Sequence, residues 1–337
     1  MPAPLDTGQV TAAAECPGSH QNRRMRPDPT PATAWPALAE ARRGDAGARL
    51  PFLIDDDGVA PRRAGSVARA QLPALARWPD ALQAGPSALR LRLPAAQRNA
   101  FFAEANAALR DAGAIVAWRD ETYPVLALRD DGSSPAGGAL LATLERAASR
   151  FWGTATFGAH CNAYVAGADG RPERLWIARR AYDKPTDPGL LDNLVGGGVP
   201  FGQTPAETVV REGWEEAGLR PAQMAGLRAG RVLALARDIP EGFQLEWLSV
   251  FDLALPLGLV PQNQDGEVHS LMCLDLAQAL DHAAAGEMTV DAALATLDFA
   301  LRHRLLPAAA HVEMASAFAP LLQGWSALPP PPGIQPI

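Results

Sequence analysis

The order of apolar and polar positions along the chain predicts a series of elements. LPFLIDDDGVA (50–60) reads as a strand running into a turn at Asp57-Gly58. LPAAQRNAFFAEANAALRDAG (93–113) carries apolar residues at helical spacing and stops at Gly113. AIVAWRDETYPVLAL (114–128) follows as strands, and LLATLERAASRFW (140–152) as a second amphipathic helix. GAHCNAYVAG (158–167) and RLWIARRAY (174–182) alternate as strands about a Gly-Arg-Pro turn. RAGRVLALARDI (228–239) and FQLEWLSVFDLALP (243–256) form a hairpin. PQNQDGEVHSLMCL (261–274) places Glu267 after a tight Asp-Gly turn, and MTVDAALATLDFALRHRLL (288–306) is an amphipathic helix that caps the fold.

Residues 1–34 and the stretch LPPPPGIQPI from Leu328 are rich in Pro and small or polar residues without periodicity, the composition of disordered or extended tails. Between them we expect an α+β region at 35–150, a second domain at 151–310, and a helix plus Pro-rich tail at 311–337. With 337 residues and 48% hydrophobic content the chain can fill two cores. A net charge of −7 without a basic tract argues against a general nucleic-acid binder. No early apolar segment reads as a signal peptide and no run reaches membrane-spanning length, so the expectation is a cytoplasmic protein without membrane partners. Cys16, Cys161 and Cys273 are too few and scattered for a disulfide framework or a zinc site. Asp120, Glu121 and Glu145 read as solvated or structural acids, and His303 as structural.

The chemistry concentrates in VGGGVPFGQTPAETVVREGWEEAGL (195–219). Gly196, Gly197 and Gly198 let the backbone approach a ligand closely. Thr204, Pro205 and Glu207 form a capping box that starts a helix, which Gly218 stops. Within it Glu212, Glu215 and Glu216 are spaced i, i+3, i+4 and share one face, while Ala206, Val210, Gly213 and Ala217 form the opposite, packable face. Three like charges on one face call for a cation, and a hard divalent ion with oxygen ligands suits them.

This segment resembles the Nudix box, G-x5-E-x7-R-E-U-x-E-E-x-G-U, where U is aliphatic. Gly197, Arg211, Glu212, Glu215, Glu216, Gly218 and Leu219 fall on the pattern, Gln203 stands in place of its first glutamate, and Gly213 in place of an aliphatic residue. The resemblance implies a C-terminal Nudix fold, an α/β/α sandwich around a mixed sheet, behind a smaller α+β domain. It also implies Mg²⁺, with Mn²⁺ as a substitute, held by Glu212, Glu215, Glu216, the carbonyl of Gly196 and a downstream carboxylate, for which Glu267 is the candidate. Glu212, Glu215, Glu267 and Arg211 are the catalytic candidates, with Arg211 orienting a glutamate by a salt bridge from off the acidic face.

More loosely, WRDETYPV, LERAASRFWG and FGAHCNAYV resemble the N-terminal domain of thiamine-pyrophosphokinase-related Nudix proteins. In that group an Arg, a Lys, Pro-Gly and Leu-Asp-Asn precede the glycines; Arg179 or Arg180, Lys184, Pro188-Gly189 and Asp192 stand at those places. Lys184 is the only lysine beside twenty-nine arginines, and a compact ammonium suits phosphate. Lys184, Arg180, Gly197 and Gly198 are therefore the substrate-binding candidates. The implied partner is a small-molecule diphosphate: thiamine diphosphate or its oxy and oxo analogues, cleaved to monophosphate and phosphate, with Trp118 and Tyr123 as the aromatic source of ring recognition. The alternatives are an ADP-ribose or NADH-type hydrolase and a non-catalytic Nudix-fold sensor.

Overall fold

The computed structural model of the protein describes residues 35–56, 59–132 and 135–323. The tails expected at 1–34 and from Leu328, and the turn at Asp57-Gly58, lie outside them.

The first part contains α1 (Pro36–Glu40), β1 (Arg49–Asp56), β2 (Val59–Ala68), α2 (Leu72–Leu75), β3 (Leu82–Ala84), β4 (Leu89–Leu91), α3 (Ala95–Asp111), β5 (Thr122–Leu128), β6 (Pro135–Glu145) and α4 (Arg146–Trp152). Strands β2-β1-β4-β3 form one sheet and β5-β6 a separate hairpin. The helix read at 93–113 is present as α3, which buries Phe101, Phe102, Ala105 and Leu109. Its core closes on Trp152, whose ring lies 4.9 Å from that of Phe52 and 5.5 Å from that of Phe102.

Two expected elements differ. Ala117 and Asp120 take φ of 61° and 59°, a left-handed backbone that no strand accommodates, so β5 starts only at Thr122. The expected helix at 140–152 shrinks to α4, because residues 135–145 pair with β5 in register Tyr123↔Leu144 and Val125↔Ala142. LLATL favours helix locally, and partner strand pairing overrides that preference. Glu145 marks the switch: its carboxylate accepts from the Ala147 N–H and caps the first turn.

The second part contains β7 (Ala155–Ala166), β8 (Pro172–Arg180), β9 (Leu191–Asn193), β10 (Val195–Gly198), α5 (Pro205–Ala217), β11 (Arg228–Ile239), β12 (Gly242–Ala254), β13 (Val268–Asp275), α6 (Leu276–Ala284), α7 (Val290–Arg302), α8 (Ala308–Phe318) and β14 (Leu322–Gln323). Its sheet runs β13-β8-β7-β12-β11-β14, with β10 beside β7 and β9 beside β8. The sheet is mixed, since β7 and β12 are parallel and the other pairs antiparallel.

Period-two alternation splits its side chains between two layers. Ile177, Leu233, Leu235, Leu248 and Val250 face α6, α7 and α8, together with Ala37 of α1. Cys161, Ala163, Trp176, Phe251 and Leu253 face α5 through Val209 and Ala217. The result is the expected α/β/α sandwich. The first part joins it near the glycine loop, where the Phe201 N–H donates to the Thr122 carbonyl at 2.9 Å.

Candidate functional site

Local sequence signals build helix α5. The Thr204 hydroxyl accepts from the Glu207 N–H at 3.2 Å and the Glu207 carboxylate accepts from the Thr204 N–H at 2.8 Å. Gly218 closes the helix with φ 63°. Its buried face is Thr208, Val209, Gly213, Glu216 and Ala217. The packable face drawn through Ala206 and Val210 is thus corrected: Ala206 is exposed and Val210 half-buried. Gly213 packs tightly, since a Cβ there would come within 2.5 Å of the Met224 sulfur.

Strand β10 brings the three glycines along β7, with Gly196 opposite His160 and Gly198 opposite Gly158. None of the three has positive φ. Their small size is used for contact: a side chain on Gly196 would meet the His160 ring at 2.9 Å, one on Gly197 would overlap the Glu212 carboxylate, and one on Gly198 would overlap the Tyr123 hydroxyl.

Two acids of α5 meet this loop. Glu216 is buried and accepts from the Gly196 N–H at 2.9 Å. Glu212 lies against Gly197. Arg211 forks between the charges, donating through Nη2 to Glu212 and through Nη1 to Glu215, at 2.8 Å each. It therefore sits among the carboxylates, where the sequence reading placed it off their face, although its orienting role is the expected one. Gln203, at the first-glutamate position, accepts from Arg211 Nε at 3.4 Å and Thr208 Oγ1 at 3.3 Å. A neutral amide oxygen thus still supports the arginine.

Crowding these acids raises their pKa values. Burial pushes Glu212 up to about 7, with Glu215 adding to the rise and Arg211 and Arg146 opposing it. Burial also holds Glu216 well above the carboxylate range, with Glu212 adding and the Gly196 N–H opposing. Hard oxygen donors held together at a cost in charge suit Mg²⁺ or Mn²⁺. The side chains as they stand point Glu212 and Glu215 at Arg211, and no group of three or more acid, His or Cys ligands is preassembled for a metal among the described residues.

The rim is basic and acidic at once. Lys184 pairs with Glu267, and Arg119 Nη1 lies 3.3 Å from the same carboxylate. Burial alone would raise the Glu267 pKa, but the Lys184 hydrogen bond and charge, with Arg119, bring it below the ordinary value. This disfavours Glu267 as a proton acceptor. Arg180 also lines the cleft, yet it bonds Asp192 at 3.0 Å and the carbonyls of Asp187 and Thr186 at 3.1 and 2.9 Å. In the free protein these bonds shape its own loop. Arg179 likewise bonds the Gly189 carbonyl.

These residues surround a cavity of about 210 Å³ that the first part of the chain completes. Val116, Ala117, Arg119, Glu121, Tyr123 and Arg146 line it opposite Lys184, Gly196, Gly197, Gly198, Glu212, Glu215 and Glu267. Glu121 lines the cleft as well and is paired there with Arg146 at 3.1 Å, the structural role among the two expected for it. Trp118 does not line the cavity; it bonds Asp120 and lies under Arg110. Glu246 and Asp291 were missed by the sequence reading, and Gln244 Nε2 bonds both, at 2.9 and 3.2 Å. The available signal for Glu246 was a charge inside the otherwise apolar strand FQLEWLSV.

Residues 158–293 match the NUDIX domain family. The chain is similar to Nudix hydrolase 20, chloroplastic, of Arabidopsis thaliana: 37% identical over 198 residues, covering 58% of this chain and 50% of that protein. It is similar also to Nudix hydrolase 24, chloroplastic, of Arabidopsis thaliana: 36% identical over 204 residues, covering 59% of this chain and 52% of that protein. The chain thus spans about half the length of the curated relatives it matches. Among solved structures, a C. elegans Ap4A hydrolase complex is 16% identical and covers 45% of this chain and 99% of its own, at a TM-score of 0.34.

Proposed function

We propose that this chain, with its Nudix domain over residues 158–293, is a divalent-metal-dependent hydrolase of the phosphoric anhydride bond in a small-molecule diphosphate. The observation that carries this reading is that Glu212 lies against Gly197 and Glu216 accepts from the Gly196 N–H behind it, while Glu212 and Glu215 line a cleft that also holds Lys184, Arg119 and Arg146. Carboxylates for the metal and cations for the phosphates meet at one place.

Glu212, Glu215, Glu216 and the Gly196 carbonyl would hold Mg²⁺, which neutralises the diphosphate oxygens and activates a water. Arg211 supplies the charge that keeps Glu212 and Glu215 side by side. A box glutamate that the metal leaves free would accept the proton of the attacking water, and the burial that raises the Glu212 pKa to about 7 without metal is a cost that Mg²⁺ would offset. Lys184 and Arg119 would meet phosphate oxygens, with Glu267 holding the two cations in place between turnovers.

For the substrate we infer thiamine diphosphate or its oxy and oxo analogues. The resemblance of WRDETYPV, LERAASRFWG and FGAHCNAYV supports this, and so does a pair of cleft acids, Asp187 and Asp291, available to a cationic thiazolium. An ADP-ribose or NADH-type diphosphate is the second reading. The decisive experiment is a phosphate-release screen with Mg²⁺ over thiamine diphosphates, nucleoside diphosphates, ADP-ribose and NADH, with wild type beside Glu216→Gln. Release from none of them would leave the sensor reading in place.

A further inference from the structure

Tyr123 stands second in β5, its ring buried at 2% exposure, in register with Leu144 of β6. Its hydroxyl is enclosed and has no hydrogen-bond partner among the described residues. Buried polar groups generally find partners, and among the described residues with an unpartnered buried side-chain atom Tyr123 is the one that lines the cleft; phenylalanine would fill the same space. The hydroxyl lies where a side chain on Gly198 would stand, and the Arg146 guanidinium carbon lies 2.8 Å from that same position. Both residues line the cleft.

Arg146, the first residue of α4, bonds the Glu121 carboxylate through Nη1 alone, at 3.1 and 3.2 Å. A guanidinium presents a fork of five N–H donors; burial works against the charge of this one, and Tyr123, Glu121, Glu246 and Glu212 around it outweigh the burial and raise its pKa. Its carbon lies 5.7 Å from the centre of the Tyr123 ring. The face of that ring is therefore taken by a cation of the protein itself, which removes it as a platform for a cationic thiazolium. What remains toward the cleft is one neutral donor and one cationic donor, side by side over the last glycine of β10 and across from the acids of α5. An anion with several acceptor oxygens fits that pair.

We propose that the Tyr123 hydroxyl and the Arg146 guanidinium, both supplied from outside the Nudix domain, hold non-bridging oxygens of the substrate's diphosphate above Gly198. This rests on the diphosphate reading given above and assigns the N-terminal region a part in phosphate recognition, where the sequence reading gave it the ring.

The test is calorimetric binding of methylenediphosphonate, a non-hydrolysable diphosphate, in Mg²⁺ buffer. Tyr123→Phe should bind it about tenfold more weakly or worse, the scale of a hydrogen bond to a charged group. Its Tm should be unchanged or higher, because the deleted hydroxyl has no partner in the free protein. The fall in kcat/KM should be the same for every diphosphate hydrolysed. Arg146→Lys, which keeps the charge and loses the fork, should show a loss of similar size. Wild-type affinity in Tyr123→Phe, from a protein that still hydrolyses diphosphates, would overturn the assignment and spare the proposed activity. A loss confined to thiamine or adenosine, with methylenediphosphonate bound normally, would overturn it too, since the hydroxyl would then be reading the ring. Absence of both binding and hydrolysis in the wild type would overturn the underlying function and this inference with it.

Discussion

Lys184 and Glu267 lie 83 residues apart in sequence and form an ion pair at the rim of the cleft. Sequence alone treats them as two separate candidates, a phosphate contact and a metal ligand or general base. The structure makes them one unit with Arg119, and a carboxylate held by two cations is a weak base. Glu267→Gln should therefore change kcat by less than about tenfold, whereas loss of a general base costs roughly 10²–10⁴. Steady-state kinetics on the best diphosphate substrate decide it. A fall in kcat of a thousandfold would restore Glu267 to the catalytic set.

Glu216→Gln tests the metal site. The amide oxygen of glutamine can still accept from the Gly196 N–H, so the loop contact survives. The change also removes a buried charge beside Glu212, which the fold holds at a cost. Turnover should drop by orders of magnitude while the metal-free Tm stays level or rises. Near wild-type activity would undo the assignment of these acids to a metal.

The acid cluster also fixes a pH dependence. Glu212 and Glu216 both have raised pKa values in the fold, Glu212 about 7. A carboxylate of this kind favours the folded state while protonated, so its contribution is full below the unfolded pKa of about 4.3 and is lost as pH rises through the folded value. Metal-free protein should lose this stability between about pH 4 and 7. Metal binds the deprotonated acids, so Mg²⁺ should raise Tm more at pH 8 than at pH 5.5 and should release protons near pH 7. Calorimetry in buffers of different ionisation heat measures that release. A Tm shift independent of pH would sink the coupling.

The parts of the site that sequence made legible are local. Capping at Thr204, the stop at Gly218 and the spacing of Glu212, Glu215 and Glu216 depend on neighbours within one helix. What escaped depends on distant pairing. LLATL became β6 because β5 lies beside it. Glu121, Tyr123 and Arg146 reach the cleft only because the first part packs near β10, and the Arg119–Glu267 contact spans 148 residues. The three glycines were visible, but the side chains that need their space were not.

Gly213 sets two effects against each other. Alanine gains about 1 kcal/mol of helix propensity. Its methyl would meet the Met224 sulfur at 2.5 Å, and Met224 is itself buried at 2% exposure. Overpacking costs roughly 1–3 kcal/mol, so Gly213→Ala should lower Tm. Met224→Ala should cost less in the Gly213→Ala background than in the wild type, a coupling that thermal unfolding of the two single variants and the double variant can show. A more stable Gly213→Ala would mean that the contact yields readily.

Substrate choice turns on the acids away from the box. Asp187 and Asp291 both line the cleft, and burial with the nearby Asp291 charge raises the Asp187 pKa. Neither acid has a use for phosphate oxygens, which it would repel. A thiazolium or aminopyrimidine, by contrast, offers positive charge or N–H donors to such a pair. ADP-ribose carries no cation for them. Asp291 also accepts from Gln244, and asparagine can keep that bond through its carbonyl oxygen. Asp291→Asn should therefore lower kcat/KM for thiamine diphosphate by about three- to tenfold, the 0.7–1.4 kcal/mol of a partly screened charge contact. Hydrolysis of ADP-ribose should be unchanged or faster, since a repelling charge is removed. The measurement is kcat/KM for both substrates on wild type and variant. Equal losses on the two, or a wild type that prefers ADP-ribose, would remove the thiamine reading and leave the nucleoside one.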